Sequence, residues 1–264
     1  MRTALAYEWW RLRTLRSTWW TAAATLMVTA LLALAFGALI KDMSADRGQA
    51  VPVSELLVIM LTKSPLTPVT AGALGVFAMG HEYRYGTIRT TLALTPRRSV
   101  AFGAKAVSIA AFSAVLALAN LAVAWAVALP VLAGESLSGV PAALLVRVHI
   151  GHVLLVAGWG LAGVALGALI RSQTVALLTL LAVPFVVEPM LRAVLANSGQ
   201  SLLERVAMFL PFTAGSAMTG AADAGSALLD SGAQLGPLAG GVVFLALITA
   251  KTAAAATAFR RRDA

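Results

Sequence analysis

Charge is what this sequence has least of. Asp, Glu, Lys and Arg make up 12% of its 264 residues, against 59% hydrophobic. A globular domain carries about 25% charged residues. A chain this poor in charge cannot clothe itself for water, so the soluble classes fall away and a polytopic membrane protein remains. Cysteine is absent altogether, which excludes disulfides, thiolate metal sites and thiol nucleophiles and says nothing about redox compartment. Also missing are GxxxxGK followed by Ser or Thr, GxSxG and HExxH. The chain therefore has no loop of its own to cradle nucleotide phosphates and no familiar hydrolytic centre. Intramembrane carboxylates are too few for a proton or sodium relay.

What the sequence does have is long apolar runs. Six are long enough for a hydrocarbon core of about 30 Å: residues 19–40, 56–80, 100–129, 142–170, 174–190 and 237–259. These spans predict an all-α membrane protein, a single transmembrane domain over residues 1–264 with no separate soluble unit. The first run is expected to be a retained anchor, because Glu8 and several arginines precede it over too long a stretch for a signal peptide. The second run is the least regular: Lys63, Pro65 and Pro68 lie in its first half, which predicts a bent or re-entrant piece. Lys63 is expected to snorkel rather than bind a ligand. In the fourth run Gly163 and Gly167 form a GxxxG pair that permits close helix packing. Residues 191–235 form a semi-apolar connection, expected outside the cytoplasm, with room for one or two short interfacial helices.

Charge sets the orientation. With the N-terminus inside, the inner segments hold 13 basic and 3 acidic residues, and the outer ones 6 basic and 8 acidic. The positive-inside rule then places both termini in the cytoplasm. The net charge of +9 is a topology signal of this kind, not a nucleic-acid footprint.

Two polar stretches stand out. Residues 1–18 mix aromatic and basic side chains, among them Trp9, Trp10, Arg11, Arg13 and Arg16. Leu5, Trp9, Leu12, Leu15 and Trp19 share one sector of a helical wheel, interrupted by Glu8 and Arg16. Tryptophans beside snorkelling arginines suit a helix lying among lipid headgroups. Residues 82–98 form the longest basic insert: Glu82, Arg84, Gly86, Thr87, Ile88, Arg89, Leu92, Pro96, Arg97 and Arg98. Gly86 breaks the preceding helix, Thr87 is the expected N-cap of a two-turn helix, and Pro96 ends it. Ile88 and Leu92, four apart, are expected to form an apolar knob ringed by arginine, suited to a groove on a soluble partner.

His149 and His152 stand three apart on one predicted helix face, as half of a metal site would, yet interfacial polar roles are the expectation for both. Asn120, midway along the third span, is expected to be interhelical glue.

These residues resemble the ABC type-2 permease family, the membrane subunits of ABC exporters. The run from Glu8 to Trp20 is similar to the family's N-terminal interfacial helix. The stretch from Glu82 through Arg98 to Lys105 resembles its first cytoplasmic loop, which carries the coupling helix. The resemblance implies a plasma-membrane transporter half that is not itself an enzyme and holds no cofactor. ATP is bound by a separate ATP-binding subunit, and a second permease chain, identical or related, completes the pore. No nucleic-acid partner is implied. A non-transporting membrane partner or a secondary transporter are the rival classes.

Overall fold

The computed structural model describes residues 1–47, 53–62, 64, 66–133, 140–196, 201–219 and 235–261. Among them every regular element is helical. In chain order they are α1 (Arg2–Thr14), α2 (Arg16–Arg47), α3 (Val53–Thr62), α4 (Leu66–Arg84), α5 (Ile88–Leu94) and α6 (Arg98–Val131). There follow α7 (Ala142–Ile170), α8 (Gln173–Ala182), a π-helical turn (Val183–Val187), α9 (Glu188–Ala196), α10 (Ser201–Ala207), α11 (Pro211–Met218) and α12 (Pro237–Arg261). Among the described residues six segments are long and apolar enough to cross a membrane: α2, α3 with α4, α6, α7, α8 with α9, and α12. The protein is an all-α, polytopic membrane protein.

Glycine decides which helices form the centre. On α7, Gly160 and Gly163 face Gly72 and Gly75 of α4. A Cβ on Gly163 would overlap the Gly72 carbonyl oxygen, and one on Gly75 would overlap that of Gly160. The two backbones are in contact, which only hydrogen side chains allow. The GxxxG pair on α7 is thus a packing face, and its complement on α4 went unread in the sequence. Around this pair α2 and α12 are peripheral, exposing Met27, Leu31, Leu34, Leu238 and Val242 as a lipid-facing belt.

The described residues of the second span form two helices, α3 ending at Thr62 and α4 starting at Leu66. Lys63 and Pro65 lie outside the described residues. Pro68 falls in the first turn of α4, where a missing N–H breaks no helical bond. Other boundaries moved as well. The first span, whose apolar run ends at residue 40, continues as helix, since α2 runs on to Arg47. The connection after residue 191 holds the end of α9 together with α10 and α11; residues 197–200 and 220–234 lie outside the described set.

Proline also shapes the fifth span. Pro184 cannot donate a helical hydrogen bond, and the ladder widens into a π turn in which the Glu188 N–H bonds the Val183 carbonyl. That turn aims the Glu188 carboxylate at the start of α11. Oε1 accepts from the Thr213 N–H at 2.6 Å and its hydroxyl at 2.9 Å, and Oε2 accepts from the Phe212 N–H at 3.1 Å. A carboxylate from another helix thereby satisfies the unpaired donors of a buried helix N-terminus.

Several contacts gather the polar ends of the chain at one end of the bundle. Phe102 of α6 meets Phe259 of α12 with ring centroids 5.9 Å apart. Arg171, the left-handed C-cap of α7 (φ 57°), lies over the Tyr83 ring at 5.6 Å. So α1, the 84–98 segment, the α7–α8 turn and the end of α12 share one end.

Candidate functional site: an ion network beneath a short basic helix

α5 forms where the sequence places it. Gly86 adopts φ +67°, with open space where a Cβ would point, so the turn needs glycine for its backbone and not for room. Thr87 stands at the N-cap position, but its backbone is already helical and its side chain makes no capping bond. The capping expectation is corrected accordingly.

The larger correction concerns Ile88. It is 6% exposed and packs in one apolar cluster with Leu12, Leu74, Met79 and Phe102, with Leu92 half-buried against the same cluster. A seven-residue helix cannot stand alone in water, so its most apolar face is spent on holding it down. Ile88 and Leu92 are the root of α5 and not its tip. The exposed residues of α5 are Arg89, Thr90, Ala93 and Leu94, of which Leu94 is 78% exposed, and Tyr85 is exposed in the turn before the helix. Arg84, Pro96 and Arg97 are exposed beside it, and the Arg84 guanidinium lies 5.6 Å from the Tyr85 ring centroid. Arg98, partly buried, opens α6.

Below α5 lies a cluster the sequence did not announce. Lys105 of α6 is wholly buried, and its Nζ donates to Glu8 Oε1 at 2.6 Å and to Glu82 Oε1. Arg11 contacts Glu8 Oε2 at 3.1 Å and Glu82 Oε1 at 3.2 Å, and donates to the Ala78 carbonyl at 3.2 Å. Two cations and two carboxylates on α1, α4 and α6 form one neutral network. Glu8, which spoils the apolar stripe of the N-terminal helix, is the residue that turns it inward. The stripe itself is cut short, because α1 ends with Leu15 in extended backbone and Trp19 belongs to α2. The Trp19 indole still ties the two together, donating to the Arg13 carbonyl at 2.9 Å. Trp9, Arg13 and Arg16 are exposed, and Arg13 stacks over Trp10 at 5.6 Å. Glu82, expected to meet a partner, is committed inside.

A second polar group surrounds the α3–α4 break. The buried Asn120 Oδ1 accepts from Thr29 at 2.8 Å and from Thr67 at 2.7 Å, and its amide nitrogen donates to His152 Nε2 at 3.1 Å. Thr29 also meets Ser64 at 2.9 Å, and Thr25 meets Thr70 at 2.7 Å. Asn120 is the glue the sequence suggested, joining α2, α4, α6 and α7. His149 points elsewhere: its Nε2 accepts from Trp125 at 2.8 Å and its Nδ1 bonds the Leu145 carbonyl at 2.7 Å. The two histidines do not converge on a common ligand. Asn120→Ala should lower stability by roughly 1–2 kcal/mol, since it strands the buried Thr67 hydroxyl and His152 Nε2, while Thr29 keeps Ser64. Thermal unfolding in detergent, followed by tryptophan fluorescence, measures it.

The sequence matches no protein-family model and no curated protein.

Proposed function

We propose that the chain is the transmembrane subunit of an ATP-driven exporter of the ABC type-2 kind, with α5 as its contact to a separate ATP-binding subunit. The observation that carries this reading is the two-sidedness of α5. Its root, Ile88 with Leu92, is packed in the apolar cluster with Leu12, Leu74 and Phe102, while Arg89 and Leu94, with Tyr85 in the turn before them, are exposed. A short helix so anchored moves as one body with α1, α4 and α6, so a push on it reaches the spans. Nucleotide chemistry is assigned to the partner, because the sequence has no phosphate-binding loop of its own. In this reading the end of the bundle that carries α1, α5 and the end of α12 faces the cytoplasm of the plasma membrane. A second permease chain completes the pathway.

One observation favours a secondary transporter: a broken span beside buried polar groups, as such carriers have at mid-membrane. Among the described residues, however, the Asn120 group contains one ionisable side chain, His152, and no carboxylate. That is a poor basis for ion coupling.

Leu94→Asp and Ile88→Asp separate the roles of the two faces. Burying Leu94 on a partner is worth about 1.5–3 kcal/mol, so Leu94→Asp should weaken co-purification of the ATP-binding subunit roughly tenfold or more and leave the melting temperature unchanged. Ile88→Asp should instead unfold the 84–98 segment and lower the melting temperature. Equal co-purification by wild type and Leu94→Asp would count against the docking role. Orientation is read separately: single cysteines at Ser99 and Ser136 should label from opposite sides of the membrane, Ser99 from the cytoplasm.

A further inference from the structure

Lys251 interrupts the packed face of α12. The buried residues of that helix are Gly240, Gly241, Phe244, Ile248, Ala255 and Phe259, which share one sector of a helical wheel. Lys251 falls in the middle of the same sector, between Ile248 and Ala255. To one side of it Phe244 and Ile248 pack with Trp159, Ala162 and Ala214; to the other Ala255 and Phe259 join Phe102, Ala106 and Ala165. The lysine therefore marks a gap between two apolar clusters. It is only partly buried, and its ammonium keeps accessible surface. Among the described residues it makes no hydrogen bond and no ion pair. Glu188 acts on it through space, but both oxygens of that carboxylate are held by the start of α11. Among the other described side chains, Glu8 and Glu82 are held by Lys105 and Arg11, and Asp42 lies near the far end of α2.

Depth selects what can reach this cation. At about 1.5 Å per residue, Lys251 lies about 15 Å along α12 from Arg261, half of a hydrocarbon core of about 30 Å. A four-carbon stem does not lift the ammonium from there to the headgroups, so a lipid phosphate resting at the surface does not neutralise it. An unpaired charge at that depth is costly, and such residues mark ligand pathways. Its counter-ion must enter the hydrocarbon, which an anion does only when joined to an apolar body. The clusters flanking Lys251 give that body a wall to lie on. We propose that Lys251 binds the acidic head, a carboxylate or a phosphate, of an amphiphile in transit. The inference rests on the transport reading and names its cargo class: an acidic amphiphile, in preference to a neutral or cationic one.

Photolabelling of the full chain in phosphatidylcholine vesicles tests it, with hexadecyl phosphate, hexadecanol and hexadecyltrimethylammonium as probes, each carrying one diazirine beside the head. Peptide mapping by mass spectrometry locates the label. The phosphate should label the peptide around Lys251 about tenfold more than either other probe, the worth of one charge-assisted hydrogen bond. Lys251→Met should remove that preference at an unchanged melting temperature, and Lys251→Arg should keep it. Equal labelling by the three probes, phosphate labelling confined to the ends of α12, or a preference that survives in Lys251→Met would each overturn the assignment. The wild-type comparison of probes decides the matter even if Lys251→Met proves unstable. No partner is needed for the labelling, so the two readings fail separately. Preferential labelling of a chain that docks no ATP-binding subunit would support the anion site and count against the transport reading. Docking without preferential labelling would sink the anion site alone.

Discussion

Lys105→Met should lower the stability of the folded chain by about 3–5 kcal/mol, the cost of removing one member of a buried ion cluster. The lysine is fully buried and serves two carboxylates on different helices. Without it Glu8 and Glu82 face each other with only Arg11 between them. The loss comes from the stranded charges more than from the missing attraction, and this distinguishes the network from ordinary packing. Glu8→Gln combined with Lys105→Met leaves one cation against one carboxylate and should recover at least half of the loss. A double-mutant cycle on melting temperature in detergent reads the coupling directly. Additive losses would show that the two residues do not share one network.

Gly163→Ala is expected to be nearly as damaging as the loss of Lys105, at about 3 kcal/mol, the upper end of what overpacking usually costs. The smallest side chain is already too large there, because its Cβ falls on a backbone oxygen of α4 that no rotamer can move. α4 and α7 must separate, and the Leu74, Met79 and Val164 cluster loosens with them. Gly103→Ala on α6 is the control. Its Cβ would lie 3.5 Å from the flexible end of Met1, an ordinary contact, and Ala is the better helix former by about 0.5–1 kcal/mol. Similar melting temperatures for the two variants would mean that the α4–α7 contact is not a determinant of the fold.

The contrast between these residues shows what the sequence made legible. Spans follow from composition and length, since about 20 apolar residues are needed whatever their neighbours do. Gly86 and Pro96 bracket α5 by local backbone chemistry alone. Burial within such a short helix is a different matter. Ile88 and Leu92 share a face, as their spacing says, but spacing cannot say whether that face meets a partner or the chain's own core. The ion network was hidden for a related reason. Glu8, Glu82 and Lys105 are far apart in sequence, and each taken singly reads as a blemish, a loop residue or one more inside charge. A carboxylate on the inward stripe of an interfacial helix was the available signal, because it costs too much to leave unpaired. Glu188 escaped notice likewise: its partner is the backbone of α11, and no side-chain pattern records a backbone donor.

Cross-linking from Leu94 in native membranes bears most directly on the proposed role of α5. The natural chain has no cysteine, so Leu94→Cys carries the only thiol and a short bis-maleimide reports its neighbour without ambiguity. The account predicts a cross-link to a separate ATP-binding protein, lost when Arg89→Glu is added. No such link should form from Val242→Cys, 69% exposed on the lipid face of α12. A Leu94→Cys chain that inserts and folds normally yet links to no ATP-binding protein, or links no better than Val242→Cys, would contradict it.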